Sequence, residues 1–181
     1  MSLNEIIKDV QKELNVTTDG VAGLITWGAI YRRIFKKEKE FEPIPSYASL
    51  AYSHLGQKEV AGSKSNPLIL KWIQSFFSWA TDDGELAWCA IFINKMLEET
   101  GHTGTKKANA KSFLNWGVPV KLPKKGDIVV FDRGSKAWQG HVGIYWGEEN
   151  GKILCLGGNQ GNRVSIARYS KSKLEGYRRL K

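Results

Sequence analysis

Residues 127–167 read DIVVFDRGSKAWQGHVGIYWGEENGKILCLGGNQGNRVSIA, and this stretch decides the fold. It holds four short apolar runs: Asp127–Phe131, His141–Trp146, Lys152–Leu156 and Arg163–Ala167. Their composition predicts strands, and the glycine, asparagine and aspartate between them predict turns. The connections are short, so the strands should pair antiparallel in one sheet. Upstream the period changes to that of a helix. Residues 47–55 predict a helix ended by Gly56. Pro67 suits a first helical position, with Leu68, Ile69, Trp72, Ile73 and Phe76 following at helical spacing. Residues 88–99 predict a third helix, whose apolar face includes Ile91, Phe92, Met96 and Leu97. Residues 108–115 predict a fourth, ending near Gly117. Helices first and strands afterwards means α+β.

Ahead of this domain lie a linker and a small helical module. Residues 37–46 are charged and carry Pro43 and Pro45, which predicts a semi-rigid linker. In residues 1–36, Leu3, Ile6, Ile7, Val10 and Leu14 keep helical spacing. A turn-rich loop follows, and Thr26 opens a second helix that it can cap. An all-helical unit of this size has little stability alone.

The chain has 181 residues, 41% of them hydrophobic and 25% charged, which is a globular balance. No apolar run approaches the roughly 20 residues that span a bilayer. The N-terminus has no basic region followed by an apolar stretch, so synthesis without a secretory signal is expected. The net charge of +9 favours polyanions, including nucleic acid, acidic lipid and an anionic cell wall. Its basic clusters, such as Lys124-Lys125 and Arg178-Arg179, are scattered and read as solvated surface. The two cysteines, Cys89 and Cys155, form no CxxC pair and read as free thiols.

Cys89 falls in the first turn of a predicted helix, where free N–H groups and the helix dipole favour a thiolate. A thiolate is the useful nucleophile, although most free cysteines are merely small buried hydrophobes. Of the three histidines, His54 lies mid-helix and His102 in a loop. His141 opens a strand, where a sheet can hold it facing a groove, and imidazole suits a base that takes and returns a proton. Asn159 ends the next strand. In an antiparallel pair that end lies beside the start of its neighbour, so its side-chain oxygen should accept the Nδ1–H bond of His141. The same Gly-Gly-Asn-Gln segment also reads as a plain hairpin turn.

Residues 47–181 resemble the CHAP and NlpC-type papain-like cell-wall hydrolases, in a phage- and prophage-associated branch. The resemblance is carried by residues 55–62, by Asn66-Pro67-Leu68-Ile69, Trp88-Cys89-Ala90-Ile91-Phe92 and Pro123–Phe131, and by Gly140–Tyr145 and Leu156–Gln160. It implies a half-papain-like domain, with helices packed on an antiparallel sheet, and peptidoglycan as substrate. It implies Cys89 as nucleophile, His141 as base and Asn159 as the third polar group, with Trp88, Gly158 and Gln160 in support. Many CHAP domains place a glutamate two residues before that asparagine. Here the position is Gly157, so the orienting role falls to Asn159. Asp19, Gly20, Gly23, Thr26 and Trp27 resemble a short helical peptidoglycan-binding domain. Some CHAP domains bind calcium just before the nucleophile. Asp82, Asp83 and Glu85 lack a recognised calcium loop, so a solvated acidic turn is expected, with no metal and no cofactor.

Together these imply an endolysin-like endopeptidase. It would be a monomer made in a host cytoplasm and reaching the wall through a holin, with no nucleic-acid partner and no membrane span. An N-acetylmuramoyl-L-alanine amidase would use the same chemistry. An inactive wall-binding phage component is the non-enzymatic alternative.

Overall fold

A computed structural model describes residues 2–16, 18, 21, 26, 30, 44–60, 65–84, 86–134, 136 and 138–181. Backbone packing divides the chain into two compact units, Met1–Pro43 and Ile44–Lys181. In the first unit, helix α1 (Leu3–Glu13) opens with a reciprocal cap. The Ser2 hydroxyl accepts the Glu5 N–H, and the Glu5 carboxylate accepts the Ser2 N–H. Gln11 of α1 is buried, and its amide donates to the Val21 carbonyl at 3.0 Å and the Thr26 hydroxyl at 2.9 Å. Asp19, Gly20, Gly23 and Trp27 lie outside the described residues, as does most of the expected second helix and linker.

The second unit runs through α2 (Ser46–Ser53), α3 (Pro67–Gln74) and α4 (Cys89–Glu99), then a 3₁₀ turn (Ala110–Asn115) and six strands. Pro67 does occupy the first turn of α3. The Asn66 side chain accepts the N–H groups of Leu68 and Ile69 and so caps the helix. The fourth expected helix is this 3₁₀ turn instead. Only six residues long, it buries Ala110 and Phe113, and the chain turns out of it at Gly117, where φ is +57°.

The strands are β1 (Val118–Val120), β2 (Ile128–Asp132), β3 (Gly140–Glu149), β4 (Lys152–Gly157), β5 (Ser165–Ser170) and β6 (Leu174–Arg179). They form one antiparallel sheet in the order β1-β6-β2-β3-β4-β5. Four are the expected strands, with shifted ends. β1 and β6 carry no apolar run. β1 holds a proline and β6 holds Glu175, Arg178 and Arg179, so tertiary pairing rather than local propensity makes them strands.

Helix α4 is the keystone of the core. Ala90, Ile91, Phe92, Ile93, Met96 and Leu97 are all buried, against α2 and α3 on one side and β3 and β4 on the other. Each large apolar side chain so buried contributes about 1.5–3 kcal/mol over exposure. A smaller cluster of Val129, Phe131, Ile153, Cys155 and Tyr177 covers the opposite face of the sheet. The α+β architecture, helices on an antiparallel sheet, is therefore the one expected. Among the described residues no helix is long and apolar enough to cross a membrane.

Asp127 locks the turn that feeds β2. It is buried, accepts the Lys124 N–H at 2.7 Å, and binds Arg179 of β6 through Nε at 2.8 Å and Nη2 at 2.7 Å. Tyr47 of α2 donates its hydroxyl to the Gly126 carbonyl in the same turn, at 2.6 Å. Asp127→Ala removes both carboxylate oxygens, and with them the bonds to the Lys124 N–H and the Arg179 guanidinium. It should lower stability by about 2 kcal/mol, read as a lower urea midpoint at unchanged slope.

Candidate active site

Helix α4 begins without a side-chain cap, because Trp88 occupies the capping position and offers no oxygen to the first amides. Those amides are left for Cys89. Burial pushes the Cys89 thiol up from its ordinary pKa. The N–H groups of Val142, Ala90 and Cys89 itself, together with the Arg133 charge, pull it down without offsetting the burial. The contact with Val142 matters for placement, since it sets the sulfur beside the residue that follows His141.

Trp88 is fully buried, and its indole N–H donates to Glu59 at 2.6 Å. Its ring lies against the backbone of Gly158: a Cβ there would stand 2.3 Å from one ring carbon and 2.9 Å from the Cβ of Phe92. Trp88 and Gly158 therefore belong to the scaffold that brings the β4 end against α4, and not to a substrate-contacting surface.

His141 is completely buried and opposite Phe131 in the β2–β3 pair. Its ring stacks on Tyr169 of β5, with centroids 5.1 Å apart and planes 13° apart, and Tyr169 stacks in turn on Phe131. The expected partner of this imidazole needs correction. The bond is made by Gln160, whose Oε1 lies 3.1 Å from Nε2, and not by Asn159 at Nδ1. Register explains the difference. β4 stops at Gly157, and Asn159 takes the left-handed conformation with φ of +57°. The chain thus leaves the strand before reaching the place beside His141. Asn159 then lines the open cleft, while the Gln160 side chain folds back under the imidazole.

The space Gln160 fills is the one a side chain at position 157 would take. A Cβ on Gly157 would lie 3.4 Å from both His141 Nε2 and the Gln160 side-chain amide carbon. Gln160 also has its own orientation fixed. Its NH₂ donates to the Ser165 carbonyl at 2.6 Å and to the carbonyls of Cys155 and Gly157 at 3.2 Å. Only its oxygen is left for the histidine, so Nε2 carries the proton and donates. Nδ1 is then the unprotonated nitrogen, and it is buried with no hydrogen-bond partner among the described residues.

Burial lowers the His141 pKa from 6.5 to about 4. The Gln160 bond opposes this, and the Arg133 charge adds to it. The resting pair is thus a neutral thiol and a neutral imidazole. Cys155 sits in the smaller cluster with Phe131, on the sheet face that His141 shares, and is fully buried with its thiol pushed far up, which keeps it protonated.

Cys89, Asn159, Arg133, Trp138, Asn109 and Gly140 line a cleft of about 540 Å³. Arg133 and Trp138, which the sequence reading passed over, come from the loop between β2 and β3. Their signal was position: an arginine and a tryptophan in a glycine-containing loop that leads straight into the His141 strand. His54 packs edge-on against Trp72, and His102 edge-on against Tyr47, so both are taken up in packing. Asp83 is also structural: it is buried, and its carboxylate accepts the N–H groups of Asn66 at 2.7 Å and Val60 at 3.3 Å. Asp82 accepts the Gly84 N–H at 2.6 Å, and Glu85 lies outside the described residues.

Residues 81–159 match the CHAP domain family. The match covers Cys89, His141 and Asn159 and stops one residue before Gln160. No curated protein matches the chain. Among solved structures, the chain is similar to a protein from Staphylococcus aureus subsp. aureus Mu50 described as similar to a lipoprotein of the NLP/P60 family. The two share 13% identity at a TM-score of 0.47, over 99% of this chain and 62% of that one. The chain thus spans less than two thirds of that protein.

Two measurements check this geometry. An unfolded His141 has a pKa near 6.5 and the folded one about 4, so the unfolded chain binds more protons between those values. Stability is fully present above pH 6.5 and falls as pH drops towards 4, by about 3 kcal/mol from this residue. His141→Phe should flatten that part of the stability profile, and an unchanged slope would contradict the buried, depressed imidazole. Gly158→Ala drives a Cβ into Trp88 and should cost about 1–3 kcal/mol in thermal or urea unfolding.

Proposed function

We propose that the second unit is a cysteine hydrolase that cleaves an amide bond in the peptide part of peptidoglycan, as an endopeptidase. The observation that carries the reading is a cleft-lining Cys89 set against the Val142 N–H, one residue on from His141, whose one unprotonated nitrogen is buried and unpartnered among the described residues while the other is held by Gln160. Because both groups rest neutral, proton transfer accompanies attack instead of preceding it. Cys89 Sγ attacks the amide carbonyl while its proton passes to Nδ1 of His141. The Cys89 N–H at the helix start is the natural first donor to the oxyanion. The C–N bond then breaks, the amine takes the proton from the imidazolium, and a thioester remains. Water adds to it, giving its proton to Nδ1, and the acid leaves as the thiol is restored.

Asn159, at the cleft wall, serves as a substrate contact in this scheme, and Gln160 is the positioning residue. The first unit is proposed as the wall-binding module. A lytic enzyme of the endolysin kind, gaining access through a holin, fits the combination of the two. A muramoyl-alanine amidase would differ only in the bond that enters the cleft.

The test is solubilisation of purified peptidoglycan. Wild type should clear the suspension and release new amines. Cys89→Ala and His141→Ala should each reduce that rate at least about 1,000-fold while unfolding cooperatively. Clearing by Cys89→Ala at the wild-type rate would rule the thiol mechanism out. Mass spectrometry of the fragments identifies the bond. The acid limb of kcat/KM should lie well below pH 6.5, near the His141 value of about 4. A limb at 6.5 or above would point to a different base.

A further inference from the structure

Among the described residues, the arginines other than Arg133 each have at least one hydrogen-bond or ion-pair partner within the chain. Arg179 is bound to Asp127, Arg168 to Glu149, Arg178 to the Leu114 carbonyl at 2.6 Å and Arg163 to the Gly161 carbonyl at 3.4 Å. Arg133 is exposed, lines the cleft beside Cys89, and has no hydrogen-bond or ion-pair partner for its guanidinium among the described residues. The carboxylate next to it in sequence is not available, because Asp132 is taken by Lys111 at 2.9 Å. Among the described residues no acidic side chain lines the cleft. Those residues therefore present one unpaired, forked cation to whatever enters it.

Its position is as telling as its lack of a partner. The Arg133 charge is felt at Cys89, His141 and Tyr169, which puts the guanidinium within electrostatic reach of the reacting pair. On the same wall the Asn109 side chain donates to the Trp138 carbonyl at 3.3 Å, and the Trp138 ring is exposed. A planar guanidinium with five donors matches a carboxylate better than any other common group on a peptide. An amide in the same place would accept less strongly and bring its own donors against a cation.

We propose that Arg133 is a specificity-determining residue that binds a free carboxylate of the substrate peptide close to the scissile amide. The cleft accordingly selects acidic wall-stem peptides over amidated ones. This rests on the peptidoglycan-peptidase reading above. One rival role uses the same charge: Arg133 could act only on the Cys89 thiol through space, with no contact to substrate. The two roles separate by substrate, because a through-space effect is blind to what the peptide carries.

The experiment uses the full chain and one synthetic wall-stem peptide in two forms, with its carboxylates free and with all of them amidated. Wild type should prefer the free form by about 10-fold or more in kcat/KM, mainly through KM. Arg133→Gln should erase most of that ratio, and Arg133→Lys, which keeps the charge but not the fork, should recover it only in part. Because the ratio is taken within one protein, a general loss of fold cancels. Equal rates of wild type on both forms would overturn the proposal. So would an Arg133→Gln variant that slows both forms equally, moves the pH profile and is fully rescued by lysine. If wild type cleaves neither form, the endopeptidase reading fails. Calorimetric binding of the two peptides to Cys89→Ala and to Cys89→Ala/Arg133→Gln then still decides the carboxylate site. A preference for the free form in the first protein that is lost in the second supports it, and equal binding sinks it.

Discussion

One side-chain amide, that of Gln160, has every atom of its polar head committed. Its NH₂ is spent on the backbone carbonyls of Cys155, Gly157 and Ser165, so its oxygen has a single place to go, the Nε2–H of His141. A buried amide with all its partners in place is rigid, and losing any of them would leave a desolvated group unpaired. The tautomer of His141 follows from this network. So does the availability of Nδ1 as a base, and so does the requirement that the chain turn out of β4 at Gly157.

The turn itself depends on close contacts at the end of the strand. Gly157 leaves room for the Gln160 side chain beneath the histidine, and Gly158 lets the backbone press on the Trp88 ring. Trp88 is the residue before the nucleophile, so the same contact that shapes the turn fixes where α4 begins. The segment before Asn66 is stitched to the turn as well. Gly56 donates to the Val164 carbonyl and Val164 to the Gln57 carbonyl, while Glu59 donates to Asn162 and holds the Trp88 indole. Nucleophile, base and orienting residue thus come from one helix, one strand and one turn that share a continuous set of contacts.

Burial sets the chemistry of the pair. A fully enclosed imidazole and a thiol at a buried helix start both resist charge, and the amides around Cys89 only partly compensate. In the proposed mechanism the proton would therefore move during attack, when the developing oxyanion supplies a reason for the charge separation. The open side of the site is polar and cationic instead, through Asn159 and Arg133. The buried imidazole and the open, cationic cleft wall thus lie at different depths.

What the sequence by itself determined follows from local periodicity and composition. Helical spacing over residues 67–76 and 88–99, apolar runs over 127–167 and the Pro67 start were all legible, because each depends on near neighbours in the chain. So were Cys89 at a helix start and His141 at a strand start. The strands β1 and β6 were not, since the charged run of β6 becomes a strand only when β2 offers an edge, and the proline-bearing β1 only when β6 offers the next one. Gln160 outranked Asn159 for a similar reason. The two are adjacent in sequence, and only the left-handed turn at Asn159 decides which side chain faces the imidazole and which faces the cleft. The free guanidinium of Arg133 is likewise a fact of three dimensions, because whether an arginine has a partner depends on which carboxylates the fold brings near it.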